Sequence, residues 1–148
     1  MSRRASDLQT EFRNEVAVAF SFLSEQAGFA QPVMTKDQRF SSTGLLFRSP
    51  GLDVEVQFFD MREPEVFTGL TVVGPDGALR EHVGLDKLYV SAGCGPAQDV
   101  PGQAPNRRST LKRVGQQATA LRKLMSRFPV PELSQLIIDL KGVKGTAL

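Results

Sequence analysis

The sequence predicts an α+β domain: an N-terminal helix, an antiparallel meander of about four strands, and two C-terminal helices packed on one sheet face. Three observations carry this. Apolar residues recur at spacings of three and four at both ends of the chain, the period of a helix with one buried stripe. Between them the pattern switches to strict alternation, the period of a strand with one buried face. The strand-like runs are joined by short Gly/Pro turns, which permit antiparallel pairing and leave no room for the crossover that parallel strands need. At 148 residues the chain has the size of one domain, long enough for a core without metals or disulfides.

The first element rests on Leu8, Phe12, Val16, Ala19, Phe20, Leu23 and Ala27, with Val18 and Phe22 widening the apolar face. Ser6 and Gln9 have the spacing of a capping box at its start, and Gly28 is a natural stop because it accepts a left-handed conformation. A linker containing Pro32 follows. The stretch 42–60, STGLLFRSPGLDVEVQFFD, then reads as two strands joined at Ser49-Pro50-Gly51. In the second of these, Leu52, Val54, Val56 and Phe58 alternate with Asp53, Glu55 and Gln57. EVFTGLTVV is the next strand and Gly74-Pro75-Asp76-Gly77 a turn. LREHV and DKLYV are weaker strand candidates, one of which can instead be a helical turn or a loop. Residues 93–105 hold three glycines and three prolines, so the segment 93–106 is a loop between the sheet and the C-terminal helices. Leu111, Val114, Ala118, Leu121, Leu124 and Met125 mark the next helix, with Asn106 or Ser109 as its N-cap. Phe128-Pro129-Val130-Pro131 ends it. A last helix opens at Pro131, with Glu132 at its positive end and Gly142 expected beyond its finish.

Charge is unevenly distributed. Residues 1–100 carry nine Lys/Arg against fourteen Asp/Glu, a balance of −5, while residues 101–148 carry nine against two, a balance of +7. Such a split points to internal complementarity or to a charged partner. Asp53, Glu55, Asp60, Glu63 and Glu65 form the acidic candidate surface. Arg107, Arg108, Lys112, Arg113, Arg122, Lys123 and Arg127 form the basic one, on a helix whose flank is expected to align Arg108, Lys112 and Arg122 while Arg113 and Lys123 turn outward. Phosphate binding favours a basic row interleaved with aromatics for base stacking, and that interleaving is missing here.

Catalytic signatures are weak. Cys94 is the one cysteine and His82 the one histidine. A thiol nucleophile needs a base and a lowered pKa, and the glycines around Cys94 run into Pro96 instead of opening a helix. The expectation for Cys94 is a small residue at a strand end, and for His82 an exposed edge or loop position. No His/Cys/Asp/Glu cluster has the spacing of metal ligands, so neither metal nor cofactor is expected. The first residues are basic without an apolar segment behind them, and no run of about 18 apolar residues occurs. These features lead to the expectation of a cytoplasmic protein that does not span a membrane.

The succession of EFRNEVAVAFSFLSEQAGF, TGLLFRSPGLDVEVQFFD and LRKLMSRFP resembles small single-domain bacterial proteins found near polymorphic toxin genes, some of them immunity proteins. The resemblance implies a stoichiometric, non-enzymatic binding protein without a cofactor, whose acidic strands face a basic partner such as a cognate toxin. The competing expectation is a nucleic-acid-associated factor using the helix at 107–127. An unrecognised enzyme would require Asp53, Glu55, His82 and Cys94 to converge in one pocket.

Overall fold

A computed structural model describes residues 3–146, and the side chains of residues 7–141. The N-terminal amphipathic segment forms α1 (Arg3–Ala19) and a short α2 (Phe22–Gln26), where one unbroken helix was expected. The break comes at Phe20–Ser21, where Ser21 N–H bonds to Val18 and Leu23 N–H to Phe20, three residues back instead of four. This tightened turn keeps Phe20, Phe22 and Leu23 all buried, which one straight stripe does not readily do. α1 begins ahead of Ser6, so the anticipated cap does not open it, and the Ser6 side chain lies outside the described residues. Gly28 ends the segment at φ +81°, as its left-handed tolerance suggests.

Five strands follow in one antiparallel meander: β1 (Val33–Asp37), β2 (Ser42–Arg48), β3 (Leu52–Phe59), β4 (Glu65–Val73) and β5 (Leu79–Gly84), in spatial order β1-β2-β3-β4-β5. The strand not anticipated is β1. It lies in the expected linker, and its residues are mostly exposed, as an edge strand allows. LREHV is a strand, whereas DKLYV belongs to α3 (Leu85–Ser91). The first Leu85 and the later Leu88 and Tyr89 of that helix are buried together at helical spacing.

The long C-terminal helices are α4 (Arg107–Arg127) and α5 (Val130–Thr146). Asn106 caps α4 in a reciprocal box: its side chain accepts from Ser109 N–H, and Ser109 Oγ accepts from Asn106 N–H. Both residues considered for the cap therefore take part. α5 runs past its expected stop, through Gly142 to Thr146. Gly142 and Gly145 each cost only about 1 kcal/mol relative to alanine, and residues 141–146 hold no proline to enforce a stop.

One core joins the helices to one face of the sheet. Leu45, Phe47, Val54, Val56, Phe58, Val66, Leu70 and Val83 point to that face, in register across four strands. Phe12 of α1 meets Phe58 at 5.6 Å between ring centroids, and Phe20 meets Phe47 at 6.3 Å. Gln117 of α4 provides the polar lock. Its Oε1 accepts from Thr68 Oγ1 at 2.7 Å, and its Nε2 donates to the carbonyls of Val66 and Pro101. Among the described residues no helix is long and apolar enough to cross a membrane.

Candidate functional site

The alternate residues of the same strands form a second face without a helix layer among the described residues. From β2 through β5 one row reads Arg48, Asp53, Thr71, His82, and the next Leu46, Glu55, Gly69, Gly84. A third row sets Gly44 beside Gln57 and Phe67, and a fourth sets Ser42 beside Phe59 and Glu65. The pleat thus brings Asp53, Glu55 and Glu65 of the acidic candidates to one face, along with His82. Asp60 and Glu63 lie in the β3–β4 connection at one end of that face.

These carboxylates are not equivalent. Asp53 is only 8% exposed, and burial pushes its carboxyl above the usual range despite the opposing effects of Arg48 and a hydrogen bond from the Ser49 backbone. Glu55 is half-buried and Glu65 exposed. The ion pairs among the described residues are Arg39–Asp37, Arg80–Asp76 and Arg107–Glu11, so neither Glu55 nor Glu65 is neutralised by one.

Gly69 and Gly84 shape the centre of the face. A Cβ on Gly69 would stand 2.7 Å from His82 Cε1 and 3.2 Å from Phe67 Cε2. One on Gly84 would stand 3.0 Å from two atoms of the Phe67 ring and 2.7 Å from Asp86 Oδ1. The two missing side chains let the rings of Phe67 and His82 lie down over the strands, 6.5 Å apart. His82 is held by a 2.9 Å hydrogen bond between Nδ1 and Thr71 Oγ1. None of Phe59, Phe67, Thr71, Asp86 and the two glycines was anticipated as part of a site. Two glycines inside strand sequences were the available signal, since an interior strand glycine often marks close approach of another group.

On the helix side the seven basic candidates lie on the other side of the sheet from Asp53 and Glu55. Arg107 donates to Glu11 of α1 at 2.7 Å, a contact that raises its own pKa. Arg113 is half-buried and does not turn outward: its Nε donates to the Gln103 carbonyl and its Nη1 to Gln116. Arg122 leaves the expected flank, because its guanidinium lies 4.7 Å from the Phe22 ring on the α2 side. Lys123 instead shares a groove with Lys112, and its Nζ sits 5.7 Å from the Tyr89 ring. Arg127 donates to the Gly93 carbonyl, while Arg108 is exposed. The groove is also lined by Asp99, which accepts a 2.8 Å hydrogen bond from Tyr89 and adds a negative charge to the surface the two lysines share.

Cys94 is buried in the core after α3, at a helix end instead of the expected strand end. His82 is exposed on the opposite sheet face, so the pocket uniting Asp53, Glu55, His82 and Cys94 is not formed. The Gly/Pro segment is tied to the sheet. Val66 N–H bonds to Gly102, Ala104 N–H to Pro64, and Glu65 bridges Gln103 in antiparallel fashion. It thereby occupies the edge of β4 that β5, which pairs only from Gly69 onward, leaves open. Among the described residues no group of three His, Cys, Asp or Glu side chains could hold a metal ion. No family model, curated protein or solved structure matches the chain.

Proposed function

We propose that this is a non-enzymatic protein-binding factor of the immunity type, which docks a basic partner on the uncovered sheet face. The observation that carries the reading is that face itself: Leu46, Phe59 and Phe67 interrupted by the carboxylates Glu55 and Glu65, with no helix over it among the described residues. Half-exposed aromatics supply the contact energy of an interface, and surrounding charges speed and orient the encounter. The face is built on one hydrogen-bonded five-stranded sheet, which lowers the ordering cost of docking.

Products of genes adjacent to this one are the partners to test, by calorimetric titration against the purified chain. Phe59→Asp should weaken such a complex about a hundredfold, about 2.7 kcal/mol, and charge reversal at Arg108 and Lys112 should leave it within a few fold. The opposite ranking would transfer the interface to α4 and overturn the reading.

The nucleic-acid reading keeps one supporting observation, the exposed Arg108, Lys112 and Lys123 on α4. The engagement of Arg107, Arg113 and Arg127 within the protein and the presence of Asp99 in the groove weaken it. Binding of mixed DNA or RNA at low salt, falling steeply as salt is added, would support it over the protein partner.

A further inference from the structure

Phe67 leads from the uncovered face into a cleft at its border. The cleft holds about 60 Å³ and is lined by Glu65, Phe67, Leu85, Asp86, Val100 and Gly102 among others. It exists because β5 begins pairing at Gly69 while the 101–104 segment holds the edge of β4 near Glu65, leaving an interval beside Phe67 and Thr68. Such a volume is several times the roughly 10–15 Å³ that admits one water. Gln117 at its base is fully engaged, accepting from Thr68 and donating to Val66 and Pro101. Glu65 and Asp86 take part in none of the ion pairs among the described residues. Asp86 Oδ1 and the Phe67 ring edge both lie within 3.0 Å of the position a Gly84 side chain would occupy, so carboxylate and ring are neighbours. A cleft lined by an aromatic ring and two carboxylates attracts a cation through contact with the ring and through charge-assisted hydrogen bonds.

We infer that this cleft receives a cationic side chain, a guanidinium or ammonium, from the protein partner docked on the sheet face. The inference rests on that functional reading and adds to it the chemistry of one contact. A planar guanidinium carries five donors and stacks on aromatic rings, which suits a lining of two carboxylates and Phe67, so arginine is favoured over lysine. The charge of the cleft repels an acidic side chain, and leaving two carboxylates under a neutral one forfeits both charged contacts.

The test is an amide-resolved NMR titration of the full chain with capped Gly-Arg-Gly, Gly-Lys-Gly and Gly-citrulline-Gly tripeptides. Saturable shifts are expected at residues 65–68, 84–86 and 102, strongest with arginine and weakened by added salt. Citrulline, similar in shape but uncharged, should bind about tenfold more weakly or not at all. The isosteric pair Glu65→Gln and Asp86→Asn should remove the preference for arginine. Equal shifts with citrulline, or no shifts with any peptide, would overturn the inference. Loss of the partner complex on Phe59→Asp combined with silent tripeptides removes the cleft while leaving the sheet face standing.

Discussion

The two faces of the sheet are made from alternate residues of the same strands, and they have opposite fates. Phe58 points into the core against Phe12 and is 1% exposed, while Phe59, its neighbour in sequence, lies half-exposed between Ser42 and Glu65. On the covered face polar groups are few and engaged, as Gln117 and Thr68 illustrate. On the uncovered face aromatic rings lie beside carboxylates that make no ion pair among the described residues. The difference teaches that composition along a strand does not show which apolar residues serve stability and which are available for recognition. The layer packed above them makes that assignment.

Substitutions at the two neighbouring phenylalanines separate the faces most sharply. Phe58→Ala should cost about 3–5 kcal/mol in urea denaturation, through lost burial and the cavity left beneath α1. Phe59→Ala should cost less than about 1 kcal/mol and express itself in partner affinity instead. Equal costs at the two positions would show that the second face is covered in solution.

Gln117→Leu comes next, since it strands the hydroxyl of Thr68 and the carbonyls of Val66 and Pro101. A loss of about 2–3 kcal/mol is expected, together with faster hydrogen exchange at Val66 and Ala104, whose N–H groups bond across the 101–104 segment. Unchanged exchange there would mean that the Gly/Pro segment holds its place without Gln117. Asn106→Ala should cost about 1 kcal/mol in the same denaturation assay, because the Ser109 N–H loses its acceptor.

The smallest effect concerns Asp53 and is read as a direction. Burial raises its folded pKa above the ordinary value of 3.8, so the folded state favours the protonated form more than the unfolded chain does. Its contribution to stability is therefore most favourable below pH 3.8 and is lost as pH rises through the raised folded value. Asp53→Asn should increase the melting temperature at pH 7, with the advantage over the parent shrinking as pH falls toward 3.8. A melting temperature lowered at pH 7 would show that the attraction of Arg48 outweighs desolvation.

The legible parts of the fold were those written in local pattern. Period-two alternation over Leu52–Phe59 located β3, and the turns at 49–51 and 74–77 implied the antiparallel pairs β2–β3 and β4–β5. The reciprocal cap at Asn106 and Ser109 was likewise present in the residue types. The edge strand β1 was not legible, because its exposed residues carry no burial pattern to read. The break between α1 and α2 was hidden for a related reason: Phe20, Phe22 and Leu23 suit both one widened stripe and two short ones.

The candidate site was legible only in its acids. Period-two spacing by itself determined that Asp53 and Glu55 share a face, since side chains alternate along any extended strand. Residue composition alone likewise determined that α4 would be basic and that a Gly/Pro segment would precede it. Only the tertiary structure decided that the basic helix and the acidic strand face lie on opposite sides of the sheet. Only the cross-strand register laid Phe67 and His82 over Gly69 and Gly84, and brought Asp86 to the edge of the ring. Register and layer order depend on contacts between residues distant in the chain, and a pattern of near neighbours does not encode them.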